Sequence, residues 1–253
     1  MQPTTSALLD RVGIVEGMRC LDVGSGGGDV SLELARRVGA SGAVLGLDLD
    51  EAKLALAREE AALARIATVE YRNADIMTAE LGADFDLVYA RFLLTHLEDP
   101  AGAASILFGC LRPGAVLVVE DIDVSGSFCQ PASDTYAYYS DVYTRTAHVR
   151  GGDPNIGPRL PHILLDAGCE RVAITIVQPV GLQPSGHEAD VKFVSPLTLE
   201  NIADAAIAEG LVTRDEIDRR IDDLYRLASD DRTLMSLPRI VQTWGYRPDS
   251  RQR

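Results

Sequence analysis

The sequence predicts an α/β fold in which helices cover both faces of a mostly parallel sheet. Three observations lead to this prediction. Short apolar runs alternate with amphipathic helical patterns through residues 18–119, which is typical of consecutive β-α-β units. The first run ends in a glycine-rich turn at Asp22–Gly28. Charged residues follow the strands at their carboxyl ends, where the ligand crevice of such a sheet lies.

The elements follow one another at regular intervals. A short amphipathic helix is expected over 5–15. Asp50 is expected to be the N-cap of the helix after strand 2, and Thr213 with Glu216 predicts a capping box at a later helix start. The predicted strands are strand 1 over 18–23, strand 2 over 43–47, strand 3 over 68–72, strand 4 over 85–90, strand 5 over 115–119, strand 6 over 171–180 and strand 7 over 239–244. Tyrosine-rich and charged helical stretches interrupt this alternation. They predict helical insertions after strand 5, at about 124–155, and between strands 6 and 7, at about 196–232, within a single domain spanning 1–253.

Composition narrows the classes of function. The 253 residues are 46% hydrophobic, which is enough for a sizeable core. The formal charge of −14 would repel a polyphosphate backbone and anionic lipid headgroups. We therefore expect a small-molecule partner and neither nucleic acid binding nor membrane insertion. The sequence is compatible with a homodimer and does not fix the oligomeric state.

The cysteines and the apolar runs point to a reducing compartment. Cys20, Cys110, Cys129 and Cys169 lie far apart and form no C-x-x-C pair, so neither a zinc site nor a disulfide framework is expected. No apolar run approaches the roughly 20 residues that span a bilayer, and the N-terminus lacks a secretory pattern. The expected location is the cytoplasm.

The glycine-rich turn joins a buried strand to a helix. Its bare backbone amides and the positive end of the helix dipole favour an anionic group. A dinucleotide fingerprint would need Gly or Ala where Asp29 stands, which also weakens a dehydrogenase interpretation. A P-loop would need Gly-Lys-Ser/Thr, and no lysine stands in or directly after the turn. Asp48 lies about 20 residues further on, the spacing at which a carboxylate accepts hydrogen bonds from a ribose.

Three stretches carry a resemblance to a known family. Asp22–Gly28, reading Asp-Val-Gly-Ser-Gly-Gly-Gly, resembles motif I of the class I S-adenosylmethionine (SAM) dependent methyltransferases, whose sheet is Rossmann-like. The segment 85–97 resembles motif IV with its following stretch, and 111–121 resembles the motif III region. Within the class, the chain looks most like the menaquinone and ubiquinone methyltransferase group and its small-molecule relatives. The resemblance implies SAM as cofactor, S-adenosylhomocysteine as product, and a last strand that runs antiparallel at the sheet edge.

The resemblance also implies a set of cofactor-binding residues. They are Asp22, Gly24, Ser25, Gly26, Gly28, Asp48, Leu49, Ala74, Asp75, Ile76, Ala90 and Arg91. The glycines would face the methionine end of SAM, with Asp22 near its amino group. Asp75 either accepts a hydrogen bond from adenine or closes an ordinary polar turn. Arg91 either pairs with the carboxylate of the donor or orients the loop.

Methyl transfer from a sulfonium is an in-line displacement, so alignment is the main task, worth about 7–11 kcal/mol. A base is optional. The candidates are His96, Glu120 and Asp121, although a histidine at position 96 is more often a supporting residue of its loop than a base. Asp121 and Asp123 could instead bind Mg²⁺, but a third oxygen ligand is not evident, so no metal is expected.

The tyrosines of the first insertion recur at helical spacing. Tyr136, Tyr139 and Tyr143 share one helix face, which either covers the acceptor as a substrate cap or docks the insertion on the core. The sequence therefore supports methyl transfer to a small, partly apolar or aromatic metabolite. The alternative is a non-methylating protein of the same fold, either a SAM-dependent cyclase or a regulatory SAM-binding subunit.

Overall fold

The computed structural model describes residues 2–184 and 190–249. The helices are α1 Gln2–Val12, α2 Asp29–Val38, α3 Glu51–Leu63, α4 Pro100–Gly109, α5 Asp134–Val149, α6 Leu160–Asp166, α7 Val191–Ala208 and α8 Arg214–Ser229. The strands are β1 Arg19–Val23, β2 Ala43–Asp48, β3 Val69–Asn73, β4 Phe85–Arg91, β5 Leu111–Asp123, β6 Cys129–Gln130, β7 Glu170–Val177, β8 Val180–Gly181, β9 Leu234–Ser236 and β10 Arg239–Tyr246. Single 3-10 turns lie at Leu94–His96, Val124–Gly126 and Gly157–Arg159.

The described chain divides into two compact units. The sheet unit contains the residues up to Asp121, together with Pro158–Thr175 and the residues from Val241 onward. The helical unit contains Ile122–Gly157 and Ile176–Ile240.

The sheet has seven strands in the order β3-β2-β1-β4-β5-β10-β7. β1 pairs in parallel with both β2 and β4, β2 pairs in parallel with β3, and β4 pairs in parallel with β5. Since the chain crosses from β3 to the far side of β1 to form β4, the strand order reverses beside the glycine turn. This confirms the predicted doubly wound α/β fold and puts a crevice at the carboxyl ends of β1 and β4.

The last strand does not occupy the edge that the resemblance implied. Arg247 N donates to Ala115 O (2.8 Å) in the first half of β5, while Gln242 reaches Glu120 near its end, so β10 and β5 run in opposite directions. β10 therefore is antiparallel, as expected, but it lies between β5 and β7. The physical reason is its burial on both faces, because six consecutive residues of β10 are buried, whereas β7 alternates between exposed and half-buried positions.

Helices α1, α2 and α3 pack against one face of the sheet. Leu8 and Leu9 of α1 and Leu34 of α2 join a core cluster that includes Tyr89 and Trp244. A second cluster brings Leu54 and Ala57 of α3 against Tyr71 of β3. These contacts hold the ends of β1–β4 in fixed positions.

The helical unit has its own core. α5, α7 and α8 pack together around a cluster that includes Val142, Leu199, Leu224 and Met235. A small antiparallel sheet in the order β6-β9-β8 closes it. That sheet was not predicted, because strands of two or three residues carry no detectable alternation. The predicted cap of α8 is present, since Thr213 Oγ1 accepts from Glu216 N (3.3 Å).

Within the part of the chain that the structure describes, none of the helices combines the length and the apolar character needed to cross a membrane.

Candidate functional site

The glycine turn ties the end of β1 to the end of β2. Gly24 N and Ser25 N both donate to Leu47 O, at 2.8 and 2.9 Å, and Gly28 N closes the turn on Ser25 O at 2.9 Å. Gly24, Gly26 and Gly28 all have positive φ, at 72°, 52° and 82°. The backbone path therefore needs glycine, since other L-residues are strained in this region.

The glycines differ in what surrounds them. A Cβ at Gly28 would collide with the Tyr71 hydroxyl and lie 2.9 Å from Ala57 Cβ, and one at Gly24 would lie 3.3 Å from Leu93 Cδ1. At Gly26 and its neighbour Gly27, no heavy atom of the described chain lies within 4 Å of that position. Packing therefore explains Gly28, whereas the backbone at Gly26 and Gly27 is open to a ligand.

Ser25 carries a polar group that the described chain leaves unsatisfied. The residue is 6% exposed, and its Oγ has no hydrogen-bond partner among the described residues. A buried hydroxyl without a partner costs about 1–3 kcal/mol. A polar ligand group at the turn would remove this cost.

Asp48 links the turn to the next loop. Its Oδ2 accepts from Gly26 N and its Oδ1 accepts from Asp50 N, both at 2.8 Å. Asp50 is the N-cap of α3, as predicted, because its carboxylate accepts from Ala52 N and Lys53 N. Ionised carboxylates have about four acceptor positions, so Asp48 retains capacity for ligand hydroxyls.

Leu49 follows Asp48 with 69% of its surface exposed. Its backbone is fixed, because the Asn73 amide donates to Leu49 O (2.9 Å) and Asp48 O (3.2 Å). We call the set Ser25, Gly26, Gly27, Asp48 and Leu49 the cofactor rim, because it adjoins the turn at which the resemblance predicts the cofactor.

The loop after β3 joins the rim. Ala74 N donates to Asp48 O at 3.2 Å. Asp75 Oδ1 accepts from Met77 N at 2.9 Å, which is the hydrogen bond of an ordinary polar turn. The side chain of Asp75 remains partly exposed and that of Ile76 is buried. The adenine role of Ala74, Asp75 and Ile76 stays a prediction.

Asp22 lies beneath the turn rather than on its surface. It is 2% exposed and its Oδ2 accepts from Ser31 Oγ at 2.5 Å. Burial raises the pKa of Asp22 to about 6, although Ser31 and Arg91 act in the opposite direction. Its place near a cofactor amino group stays a prediction.

Arg91 ends β4 with its guanidinium engaged. Its Nη2 donates to both carboxylate oxygens of Asp29 at 2.8 Å, and Ala90 before it is fully buried. A cofactor carboxylate would have to share this guanidinium with Asp29. Asp29 was not predicted as a site residue. The available signal was an acidic residue at the first position of α2, next to the turn.

Glu120 is the centre of a buried network. It is 1% exposed, its Oε1 accepts from Thr5 Oγ1 (2.9 Å) and from the Tyr89 hydroxyl, and its Oε2 accepts from Gln242 Nε2 (2.6 Å). We call these residues the Glu120 network. It joins α1, β4, β5 and β10, so the carboxylate already supports the fold.

His96 is the exposed member of the three predicted bases. Asp121 is fully buried, and its Oδ2 accepts from Thr95 N (3.0 Å) in the 3-10 turn that carries His96. Partial burial of the imidazole and the charge of Lys53 lower the pKa of His96. The imidazole is therefore neutral at pH 7 and able to accept a proton.

Asp123 belongs to the helical unit. Its carboxylate pairs with Arg239 Nη2 (2.6 Å) and accepts from Ser125 Oγ (2.6 Å). Within 2–184 and 190–249, no group of three or more His, Cys, Asp or Glu residues is arranged to hold a metal ion.

The tyrosines of α5 lie in the core of the helical unit. Tyr136 and Tyr139 are each 4% exposed, their rings meet edge to face at 5.7 Å, and Tyr143 packs against the same cluster. The Tyr136 hydroxyl donates to Ser236 O at 2.6 Å. These contacts account for the helical spacing of the three tyrosines by internal packing, and the role of a substrate cap stays a prediction.

The sheet unit thus brings together most of the predicted residues by hydrogen bonds between loops. The turn after β1, the loop after β2 and the loop after β3 are joined at Asp48. Arg91 and Asp29 adjoin the same turn, while Glu120 and Asp121 are enclosed behind it.

Comparisons with known proteins agree with this geometry. A family model described as a methyltransferase domain matches residues 14–169, more than half of the chain. The ubiquinone biosynthesis O-methyltransferase of Acinetobacter baumannii (strain ACICU) is 35% identical over 107 residues, which cover 42% of this chain and 44% of that protein. The ubiquinone/menaquinone biosynthesis C-methyltransferase of Idiomarina loihiensis is 33% identical over 141 residues, covering 54% and 53%. The chain thus spans about half the length of these curated relatives.

A solved structure shares the fold over nearly the whole chain. It is phosphoethanolamine N-methyltransferase 2 of Haemonchus contortus, in complex with phosphomonomethylethanolamine and S-adenosylhomocysteine, with a TM-score of 0.62 and 18% identity. The match covers 98% of this chain and 53% of that one. The family match, the strand order and the glycine turn lead to one conclusion: the chain belongs to the class I S-adenosylmethionine-dependent methyltransferase family.

Proposed function

We propose that this protein transfers the methyl group of SAM to a small-molecule acceptor. The observation that carries the proposal is the cofactor rim. There, uncrowded backbone at Gly26 and Gly27, an unsatisfied buried hydroxyl, a carboxylate with spare acceptor capacity and an exposed leucine adjoin one another. Family membership supports the same reaction.

The residues of the rim fit the chemistry of SAM. The open backbone at Gly26 and Gly27, with Ser25 Oγ, suits the carboxylate of the methionine end. Asp48 suits the ribose hydroxyls, and Leu49 offers apolar surface beside it. When bound, SAM supplies an electrophilic methyl group on a positively charged sulfur.

Residues after β3 and at the end of β4 suit the adenine and the amino acid end of SAM. Asp75 and Ile76 suit the adenine, since a partly exposed carboxylate there adjoins a buried apolar side chain. Arg91 and Asp29 form a pair of opposite charges next to the turn, which suits the zwitterionic amino acid end.

The chain's own contribution to the transfer is alignment, with proton removal where the acceptor needs it. The turn, Asp48 and the loop after β3 are locked to one another, so they present a fixed surface. His96 is the base that we propose, because it is exposed and neutral at pH 7. Glu120 and Asp121 are enclosed, so we assign them to holding the strands and the His96 turn.

The acceptor that we propose is a small, partly apolar or aromatic metabolite. The names of the two curated relatives, both of ubiquinone biosynthesis, support this class. The formal charge of −14 also disfavours polyanionic acceptors.

Two measurements test the proposal in sequence. Calorimetry with S-adenosylhomocysteine is expected to give a saturable heat, and its absence at millimolar concentration would sink the proposal. Incubation with methyl-labelled SAM and a metabolite extract is then expected to yield a labelled product. Binding without any labelled product would favour the alternative, a SAM-binding protein that does not methylate.

A further inference from the structure

The helical unit contains a cavity of about 540 Å³, within the range of small-molecule sites. Its lining comes from the segment that begins at Val124 and from one face of α5. Two aromatic side chains line it: Phe128, which is 39% exposed, and Tyr136, whose hydroxyl is already used on Ser236 O. Tyr136 therefore offers ring surface rather than its hydroxyl.

Asp141 is the one charged residue of the described lining, and the other polar groups are uncharged. Hydroxyls stand at Ser125, Ser127, Ser133, Ser140 and Thr144. Ser127 Oγ is buried and has no partner of acceptable hydrogen-bond geometry among the described residues, although it lies close to the Tyr136 hydroxyl. A hydroxyl in that state gains from a ligand that donates to it or accepts from it.

Hydrogen bonds within the helical unit fix the position of Ser125 in the lining. Ser125 N donates to Asn155 Oδ1 (2.8 Å), and Ser125 Oγ donates to the enclosed carboxylate of Asp123. Asp123 in turn is paired with Arg239 at 2.6 Å. The lining therefore does not depend on a ligand for its shape.

Nothing in this lining would neutralise an anion. Among its described residues none is a lysine, an arginine or a histidine, and Asp141 adds a negative charge. The nearby cations are engaged, Arg145 with Asp141 at 3.3 Å and Arg239 with Asp123. A phosphate or carboxylate would therefore meet the charge of Asp141 without a cation to pair with, which is unfavourable.

We propose that this cavity binds an uncharged small molecule that carries a ring and a hydrogen-bonding substituent, and that it rejects phosphorylated ligands. The proposal goes beyond the proposed function and does not depend on it. Binding itself requires no methyl transfer.

The test is equilibrium binding by ligand-observed NMR on the whole protein at pH 7 without SAM. The uncharged probes are 4-hydroxyacetanilide and 4-(2-hydroxyethyl)phenol, and the anionic counterpart of the same ring is 4-hydroxyphenyl phosphate. We expect the uncharged probes to bind at least about ten-fold more tightly than the phosphate, since Asp141 repels an anion and the described lining offers no cation to pair with it. No binding of either uncharged probe at millimolar concentration, or equal binding of the phosphate, would overturn the proposal.

Variants locate the binding. Ala137→Trp fills the cavity from α5 and is expected to weaken the uncharged probes at least about ten-fold. Ser127→Ala removes one hydroxyl without adding bulk and is expected to weaken them about two- to ten-fold. Val149→Trp places the same bulk on an exposed position of α5 outside the lining and should change nothing. Unchanged affinity in both Ala137→Trp and Ser127→Ala, with folding verified by circular dichroism, would show that the probes bind elsewhere.

A failure of this experiment and a failure of the proposed function are distinguishable. The NMR titration can succeed while the labelled-SAM assay fails, and the reverse result would keep methyl transfer but remove this cavity as a ligand site.

Discussion

The cofactor rim and the Glu120 network both stand at carboxyl ends of strands in the sheet unit, yet they differ in exposure. At the end of β2, Asp48 is partly exposed beside an uncovered leucine. Near the end of β5, Glu120 is 1% exposed and already accepts from three side chains. In the sequence both look alike, as an acidic residue after an apolar run. A strand end thus predicts proximity to the crevice, whereas burial decides whether a residue can meet a ligand.

The largest expected effect is on the rate of methyl transfer, because His96 is exposed whereas Glu120 and Asp121 are buried. Removing the imidazole in His96→Ala is expected to lower kcat about 10²–10⁴-fold for an acceptor that must lose a proton, with S-adenosylhomocysteine affinity unchanged. Steady-state kinetics and calorimetry measure the two quantities. An unchanged kcat would leave His96 with a supporting role in its loop.

The pH dependence of kcat tests the same assignment of His96 as the base. Because the pKa of His96 is lowered, kcat should rise with pH and level off below the range expected of an unperturbed histidine. His96→Ala should lose this rise. A rise that persists in the variant would assign it to another group.

The next effect concerns stability. Glu120→Ala leaves the donors at Thr5, Tyr89 and Gln242 without their acceptor, and each unsatisfied buried group costs about 1–3 kcal/mol. The free energy of unfolding from urea titration should therefore fall by at least about 3 kcal/mol. Glu120→Gln retains an acceptor and should lose less. Equal losses in both variants, or a loss below 1 kcal/mol, would contradict a structural role for the network.

Asp22 provides a pH test of burial beneath the turn. Its pKa is raised from 3.8 to about 6, so the folded state binds a proton that the unfolded state releases between these values. Stability from this group is therefore full below about pH 4 and is lost as pH rises through 6, by up to roughly 3 kcal/mol. Asp22→Asn should lack this decline. Urea titrations from pH 4.5 to 8 on both proteins measure it, and parallel pH curves would refute the assignment.

The smallest expected effect compares two glycines of one turn. Gly28→Ala should cost about 2 kcal/mol or more, because it adds a clash with Tyr71 and Ala57 to the strain of a positive φ. Gly26→Ala has the strain but no clash, so it should cost about 1–2 kcal/mol while weakening cofactor binding. A larger stability loss in Gly26→Ala than in Gly28→Ala would reverse this division of roles.

Much of the fold could be predicted from the sequence because its signals are local. Alternating apolar runs and helical patterns gave the parallel strands and most helices, and the N-cap at Asp50 followed from residue type. Pairing between distant strands leaves no such signal. The position of β10 between β5 and β7, and the short strands β6, β8 and β9, therefore emerged only in the structure.

The location of the site could be predicted from the sequence, but the role of each of its residues could not. The spacing of Asp48 from the turn indicated a loop beside the turn, and Gly26 N does bond to its carboxylate. The sequence could not reveal that Gly28 is required by Tyr71, or that Arg91 is engaged by Asp29. Each of these contacts joins residues more than 40 positions apart, so only the folded chain brings them together.

Calorimetric titration of S-adenosylhomocysteine tests the central claim most directly, because it asks whether the cofactor rim holds the cofactor. The wild-type protein should bind, and Asp48→Ala should bind at least about ten-fold more weakly, since a hydrogen bond to a charged group contributes about 1.5–3 kcal/mol. Asp84→Ala, which removes an exposed carboxylate paired with Arg19 at the amino end of β1, should bind like the wild type. Unchanged affinity in Asp48→Ala would contradict the account.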